Sequence, residues 1–268
     1  HEEQDGFDTL EWLARQPWCD GRVGMFGDSY LAATQFSAAM SGSPHLCALT
    51  PRFMSGDCWK RGYYCDGAFS LGLTWSWLCF ECAGRASVAS RMPLFDVDSL
   101  LRSRPLIELD EASGAGEVPF YRDYLRHGSW DGLWEGLSIH ARCDRFTMPV
   151  LLVGGWYDNY AAEAARAFQS MLTAAPDERT RDGHRLLIGP WTHGINPEST
   201  LGDVDFGPEA LRENDATQRW LDCILHGGEP AEFQEAPVRI FVMGRNRWRD
   251  EAQWPPAGMR PVEWFLQS

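Results

Sequence analysis

The stretch RVGMFGDSYLAA, residues 22–33, joins a short apolar run to a run of small residues through a turn that carries a serine. Residues 23–26 predict a buried β-strand, and residues 30–40 predict a helix. Gly27 lies two positions before Ser29, where a tight strand-to-helix turn needs a small residue. Ser29 is therefore either a nucleophile on a sharp turn or an ordinary polar residue at a helix start.

The same alternation of strand and helix patterns continues along the chain. The apolar segments LCALTPR (46–52), PVLLVGG (149–155) and HRLLIGP (184–190) predict three further strands. Residues 161–174 and 208–226 have the apolar spacing of helices. The sequence therefore predicts an α/β fold with a mostly parallel sheet whose faces are covered by helices.

Two regions depart from this alternation and suggest a division into domains. Residues 57–145 are rich in Trp, Leu, Gly and Ser, and we interpret them as a helical cap inserted into the core. The α/β core is then formed by residues 1–56 and 146–236. From residue 237 the strand pattern differs, which predicts that residues 237–268 begin a C-terminal all-β domain.

Composition excludes several classes of protein. The net charge is −14 without a Lys/Arg cluster, which argues against a nucleic-acid partner. No apolar run approaches the ~20 residues of a membrane-spanning helix, so we predict no membrane partner. The eight cysteines form no disulfide framework, and the single C-x-x-C pair, Cys79 and Cys82, favours buried, reduced thiols over metal or redox chemistry. We predict neither a metal nor an organic cofactor.

Asp158 and His193 each follow a predicted strand, and this placement bears on the role of Ser29. A serine nucleophile needs a base and a carboxylate that orients the base, and α/β-hydrolases supply them in the chain order Ser, Asp/Glu, His. Taken singly, Asp158 could be a helix N-cap and His193 a loop residue. The ordered coincidence of all three favours a catalytic triad, although Leu31 leaves the G-x-S-x-G pattern half met.

Other titratable residues fit a catalytic role less well. Asp28 directly precedes Ser29, so its side chain is expected to point away from the hydroxyl. His184 opens a strand at the edge of the sheet opposite the catalytic one, and His127 and His140 fall within the predicted cap as surface or core residues. The sequence therefore points to Ser29, Asp158 and His193.

Three segments together resemble the cocaine-esterase/X-Pro dipeptidyl-peptidase family of serine hydrolases, the CocE/NonD group. They are DGFDTLEWLARQPWCDGRVGMFGDSYLAATQ, GGWYDNY and GPWTHG. The resemblance implies an α/β-hydrolase fold with Ser29 as nucleophile, His193 as general base and Asp158 as its orienting carboxylate. It implies Tyr30 as an oxyanion donor through its backbone N–H. VRIFVMGRNRWRDEAQWPP resembles the family's passage into a C-terminal jelly-roll domain.

This chain departs from the family pattern in two ways. Ala32 replaces the last glycine of the family's G-x-S-Y-x-G, and alanine is small enough for the turn to form. The family's second oxyanion donor is a tyrosine well before the nucleophile, and no tyrosine precedes Tyr30 here. Together with the absent early strands, this leads us to expect a fragment of a longer protein.

The substrate is less well determined than the reaction. Five aromatic residues are candidates for an apolar acyl pocket, with a role in the core as an equal alternative: Trp75, Trp77, Trp156, Tyr160 and Trp191. Asn159, directly after Asp158, argues against the family's α-amino-acid ester hydrolases, which carry acidic residues there. We expect a small uncharged ester or amide as substrate, with an X-Pro exopeptidase or an impaired binding homologue as alternatives. The sequence leaves a homodimer and the compartment open.

Overall fold

The computed structural model describes residues 1–82, 96–228 and 236–265, which form two compact units. The first unit comprises His1–Gly56 and Ile139–Ser268, and the second comprises Asp57–Ser138. Residues 83–95 of the predicted cap and residues 266–268 of the predicted β domain lie outside the described residues. No helix of the described part of the chain has both the length and the apolar character needed to cross a membrane.

A six-stranded sheet forms the centre of the first unit. Its strands, in spatial order, are β1 (Val23–Asp28), β2 (Leu46–Arg52), β3 (Leu151–Gly155), β4 (Arg185–Gly189), β5 (Val238–Val242) and β6 (Arg247–Glu251). Strands β1 to β5 run parallel, and β6 is antiparallel to β5. The mostly parallel sheet confirms the predicted fold class.

Helices cover both faces of this sheet. They are α1 (Glu2–Ala14), α2 (Tyr30–Met40), α3 (Ala161–Ala174), α4 (Glu178–Gly183) and α5 (Ala216–Leu225), with 3-10 turns at His140–Arg145 and Pro208–Leu211 and a hairpin of Thr200–Leu201 with Val204–Asp205. Side chains alternate between faces along β4: Leu186 and Ile188 join the core cluster that contains Phe168 of α3, whereas Leu187 joins the one that contains Trp220 of α5. The predicted helix over 208–226 is divided between the second 3-10 turn and α5.

Residues 238–251 provide the last two strands of the central sheet. Val238 and Ile240 of β5 lie opposite Leu186 and Ile188 of β4 in parallel register, and β6 pairs with β5. Both side chains are buried in the core cluster of α2 and α3. This segment therefore belongs to the central sheet of the first unit, and a C-terminal β domain stays a prediction.

The second unit is mainly helical, with a core of its own. Its elements are helices Cys58–Arg61, Leu71–Ser76, Val97–Arg102, Leu109–Ala112, Pro119–Arg126 and Gly132–Leu137, a π-helix at Trp77–Cys82, a 3-10 turn at Leu106–Glu108, and a hairpin of Tyr64–Cys65 with Ala68–Phe69. It ends seven residues before the predicted boundary at 145, because Ile139 and Cys143 are buried in the core of the first unit. None of the eight cysteines, all of which lie within the described residues, forms a disulfide; burial raises the pKa of Cys79 to about 12, whereas Cys82 is exposed.

Candidate active site

Ser29 lies between β1 and α2 in a strained backbone conformation. Its φ of 57° and ψ of −123° fall in a region that residues other than glycine rarely adopt, at a cost of ~1–3 kcal/mol. Its N–H donates to the carbonyl of Arg52 at 2.9 Å, and its own carbonyl accepts from the N–H of Ala32 at 2.8 Å. This is the strand–turn–helix geometry on which α/β-hydrolases mount a nucleophile.

The turn requires a glycine at position 27 because the backbone there lies close to the side chain of Leu31. A Cβ added to Gly27 would lie 2.5 Å from the Cβ of Leu31, and Gly27 has a φ of +150°. Leu31 occupies the position of the second glycine in the G-x-S-x-G pattern, and its side chain is largely exposed. Ala32 is fully buried. The turn therefore forms although the G-x-S-x-G pattern lacks its second glycine. Gly27 has no side chain, and this leaves room for the side chain of Leu31.

Gln35 supports the turn and was missed by the sequence reasoning. Its side chain is fully buried, and its Nε2 donates to the carbonyls of Gly27 at 3.3 Å and Leu31 at 3.1 Å. Its Oε1 accepts from the N–H of Thr50 in β2 at 3.1 Å. The available signal was a lone amide among the small and apolar residues of α2, since a buried amide needs partners.

Asp158 and His193 meet just beyond the ends of β3 and β4. The Nδ1 of His193 lies 3.0 Å from Oδ1 of Asp158. The Asp158 side chain is 2% exposed and that of His193 is 46% exposed. A hydrogen bond from Nδ1–H to this carboxylate leaves Nε2 as the nitrogen that accepts a proton. The structure therefore brings two of the three predicted catalytic side chains into direct contact.

Glycines allow the two loops that carry this pair to approach each other. A Cβ added to Gly155 would lie 2.3 Å from the carbonyl oxygen of Trp191. The N–H of Trp156 donates to the carbonyl of Gly189 at 2.9 Å, and that of Tyr157 donates to the carbonyl of Trp191 at 3.0 Å. This close approach of the two loops explains the glycine at position 155.

Hydrogen bonding, burial and nearby charges all act on the pKa of His193. The hydrogen bond to Asp158 raises the pKa of His193 against the opposing effect of burial, and the charges of Asp158 and Asp28 raise it further. Oδ2 of Asp158 is buried and has no hydrogen-bond partner among the described residues. An unpartnered buried carboxylate oxygen is unusual, and here it belongs to the group that faces the histidine.

The end of β2 links the serine turn to the histidine. Phe53 follows Arg52, whose carbonyl binds the Ser29 N–H, and its ring packs edge-on against the His193 ring at a centroid distance of 6.4 Å. Phe53 has a φ of 53°. The carboxyl ends of parallel strands gather at one edge of a sheet, so Ser29 and the Asp158–His193 pair share that edge. The sequence reasoning did not identify Phe53.

The predicted pocket residues of the first unit have different surroundings. The ring of Tyr160 lies 5.5 Å from that of His193. Trp156 is half-buried, and its Nε1 donates to the carbonyl of Phe241 at 2.8 Å. Trp191 is 1% exposed within the core cluster that contains Phe53, which leaves its indole almost no surface for a substrate.

The two predicted pocket residues of the second unit belong to its core cluster. Trp75 is fully buried, and its Nε1 donates to Oγ of Ser113 at 3.3 Å. Trp77 is half-buried and packs against the same cluster. Within the described residues, Tyr160 is thus the predicted pocket residue with a ring contact to the histidine.

Known proteins resemble this chain over nearly its whole length. The family model of X-Pro dipeptidyl-peptidases (S15 family) matches residues 1–195. A cocaine esterase from a Rhodococcus species is 33% identical over 273 residues, which cover 95% of this chain and 46% of the esterase. Two solved structures share the fold at 22% identity. An aminopeptidase from a Thaumarchaeota archaeon has a TM-score of 0.75 over 96% of this chain and 43% of its own.

An α-amino acid ester hydrolase is the second of these structures. Its TM-score is 0.74, and the match covers 95% of this chain and 42% of the hydrolase. This chain therefore spans less than half the length of these relatives. The two solved structures share this fold, although their names describe different reactions.

Proposed function

Because the chain belongs to the X-Pro dipeptidyl-peptidase (S15) family, we propose that it is a serine hydrolase that cleaves ester bonds of small, uncharged acyl substrates. One observation carries this proposal. His193 Nδ1 lies 3.0 Å from Asp158 Oδ1, at the edge of the sheet where Ser29 adopts its strained conformation. The similarity to a protein named cocaine esterase supports ester cleavage.

The first step of the proposed reaction is attack by Ser29. His193 Nε2 takes the hydroxyl proton as Oγ bonds to the substrate carbonyl carbon, because an unassisted hydroxyl is a poor nucleophile. Asp158 holds the imidazole in the required tautomer and stabilises the imidazolium that forms. The raised pKa of His193, caused first by the Asp158 hydrogen bond, is consistent with this role.

The backbone of α2 supplies stabilisation of the oxyanion. Tyr30 begins the helix, and N–H groups of a first helical turn have no intrahelical acceptor. One such donor contributes ~100- to 1000-fold in rate to serine hydrolases. Collapse of the tetrahedral intermediate releases the alcohol, which takes its proton from His193, and leaves an acyl-serine. Water then attacks the acyl carbon while His193 takes its proton; the bond to Ser29 Oγ breaks, Oγ regains the proton from His193, and the carboxylic acid leaves.

The surroundings of the histidine support an uncharged acyl group. The rings of Phe53 and Tyr160 pack against His193 and provide apolar contact area. Asn159, rather than an acidic residue, follows Asp158 directly. An ammonium group of a substrate would therefore find no carboxylate at that position.

An X-Pro exopeptidase is the second candidate function. The description of the matching family favours it, as does structural similarity to an aminopeptidase. Such an enzyme requires an anionic partner for the N-terminal ammonium of a peptide. Asp28 is the carboxylate adjacent to the nucleophile, and it already pairs with Arg52. We therefore rank ester cleavage first.

Labelling and turnover test the proposal together. The protein and its Ser29→Ala variant are treated with a fluorophosphonate probe, and hydrolysis of p-nitrophenyl acyl esters is compared with that of an X-Pro p-nitroanilide. We expect labelling at Ser29 that the variant abolishes, with kcat/KM higher for the esters. Higher kcat/KM for the anilide would favour the exopeptidase. Absence of both labelling and turnover would overturn the proposal in favour of a binding protein.

A further inference from the structure

Phe53 directly follows β2 and has a backbone conformation that bulky residues rarely adopt. Among the described residues other than glycine, four have a positive φ: Ser29, Phe53, Asp66 and Asn246. Asp and Asn tolerate this conformation, whereas an aromatic residue with a φ of 53° is an outlier. Such strain persists only where the surrounding structure imposes it, and it concentrates at functional sites. Phe53 shares this property with the proposed nucleophile.

Two backbone hydrogen bonds fix the chain at the strained residue. The carbonyl of Arg52 accepts the N–H of Ser29 at 2.9 Å, and the N–H of Phe53 donates to the carbonyl of Val153 in β3 at 2.9 Å. Strand β3 leads into the loop that carries Asp158. The backbone of Phe53 is therefore held between the serine turn and the strand that precedes the orienting carboxylate.

The side chain of Phe53 connects this fixed backbone to the histidine. Its ring is 1% exposed and packs edge-on against two rings of the next loop, those of Trp191 at a centroid distance of 6.3 Å and His193 at 6.4 Å. Edge-to-face pairs of this kind have a preferred geometry. The His193 side chain is half exposed, so a buried ring against it restricts the orientations that the imidazole can adopt.

We propose that Phe53 is a positioning residue for His193: its buried ring, held by the strained turn after β2, keeps the imidazole in the orientation in which Nδ1 donates to Asp158. The inference rests on the proposed function in so far as it takes His193 to be the general base. An imidazole that rotates away from Asp158 loses the preference for the Nδ1–H tautomer, and with it Nε2 as the proton acceptor. Phe53 therefore acts through the histidine, since its buried ring offers almost no surface to a substrate.

A role in filling the core is the competing explanation, and the first unit contains a matched control. Phe146 is also fully buried, and its ring packs edge-on against Phe36 at a centroid distance of 6.0 Å in the core cluster of α2 and α3. Replacement of either Phe53 or Phe146 by Leu removes part of a buried ring and leaves a cavity, so both variants should lose stability. Of the two, Phe53 is the one whose ring packs against His193. A positioning role therefore predicts an effect on the histidine from Phe53→Leu and not from Phe146→Leu.

The test compares the unmodified protein with Phe53→Leu and Phe146→Leu by ¹⁵N NMR of the His193 ring, at a pH where the ring is neutral, and by steady-state ester hydrolysis. In the unmodified protein we expect the Nδ1–H tautomer. Phe53→Leu should populate both tautomers and lower kcat by about 10- to 100-fold, because a displaced base no longer meets the reacting atoms. KM should stay close to that of the unmodified protein, since substrate binding is not affected. Phe146→Leu should keep the single tautomer and the original kcat, although its melting temperature falls.

A single Nδ1–H tautomer in Phe53→Leu, a mixture already present in the unmodified protein, or an equal change in Phe146→Leu would overturn the inference. If Phe53→Leu does not fold, Phe53→Met and Phe146→Met provide the same comparison with side chains closer in volume to Phe. The NMR measurement does not require turnover. A change of tautomer in a protein without ester hydrolysis would therefore count against the proposed function alone, and hydrolysis with an unchanged tautomer in the Phe53 variant against this inference alone.

Discussion

Two histidines bracket the same strand and have opposite properties. His184 directly precedes β4, is fully buried, and has no hydrogen-bond partner for either ring nitrogen among the described residues. Burial lowers its pKa to about 4. His193 follows the end of β4, is half exposed and binds Asp158, which raises its pKa.

The difference between His184 and His193 reflects the different surroundings at the amino and carboxyl ends of the parallel strands. At the amino end the histidine packs as a neutral side chain, because a buried charge without a partner is unfavourable. At the carboxyl end a buried carboxylate reverses this preference, and the strained Ser29 lies at the same edge. Open α/β sheets bind ligands at that edge, where the loops after several strands converge. Four experiments test this division, in descending order of expected effect.

The largest effect is expected from removal of the proposed base or the proposed nucleophile. His193→Ala and Ser29→Ala should each reduce kcat by roughly 10⁶-fold, because the groups of a serine triad act as a unit. The melting temperature should change little, since the His193 side chain is half exposed. Steady-state ester hydrolysis and a thermal melt check both expectations. A kcat within tenfold of that of the unmodified protein, in either variant, would contradict the proposed role of the substituted residue.

Replacement of the orienting carboxylate should have the next largest effect. Asp158→Asn keeps the shape of the side chain but no longer favours the Nδ1–H tautomer, and the expected loss in kcat is roughly 10⁴-fold. The pKa of His193 should fall, because the hydrogen bond to Asp158 is the first cause of its increase. Kinetics and NMR titration provide the two measurements. Asp250→Asn serves as the control, and a similar loss there would indicate a general effect of charge.

The amino end of β4 is tested by acid stability. The folded protein protonates His184 less readily than the unfolded chain does, so the unfolded state binds more protons as the pH falls. The free energy of unfolding therefore decreases by ~3 kcal/mol in total as the pH falls from 6.5 to about 4. His184→Leu should remove this part of the pH dependence in urea denaturation. His193→Leu should leave this part of the pH dependence unchanged. An equal effect of the two variants on the pH dependence of the free energy of unfolding would contradict the difference between the two ends of β4.

The smallest expected effect concerns strain at the serine turn. Gly27→Ala places a Cβ 2.5 Å from that of Leu31 in a conformation that disfavours side chains, and we expect a loss of ~1–3 kcal/mol in stability. Adding Leu31→Gly should recover part of this loss in a double-mutant cycle on the free energy of unfolding. Gly136→Ala, where an added Cβ meets no atom within 4 Å, is the control. Additive effects of the two substitutions would show that the contact does not determine the cost.

Much of the fold and the candidate site was predictable because it depends on local patterns. Apolar runs bounded by turns identified strands β1 to β4, and the ordered residues after them identified Ser29, Asp158 and His193 as candidates. The role of Gln35 was not predictable in this way. Its side chain bonds to Gly27 of β1 and to Thr50 of β2. These residues come within reach of Gln35 only when α2 packs against the assembled sheet.

The surroundings of the aromatic residues were likewise not predictable from local sequence patterns. Trp75, Trp191 and Tyr160 look alike in sequence, yet two are buried in cores and the third packs against the histidine. Residues 238–251 carry a strand pattern, and only the pairing of β5 with β4 and of β6 with β5 shows that they belong to the central sheet. Exposure and pairing are properties of the assembled chain, so a local pattern leaves them undetermined.

Local sequence patterns were sufficient to predict the class of fold, the order of the candidate catalytic residues and the strand-to-helix turn at Ser29, because propensity and hydrophobic period act over a few neighbouring residues. The folded structure was needed to show that Asp158 is buried against His193, that Asp28 pairs with Arg52, and that the pKa values of His184 and His193 shift in opposite directions. These properties depend on desolvation and on charges from distant parts of the chain, and both exist only once the strands have assembled into a sheet.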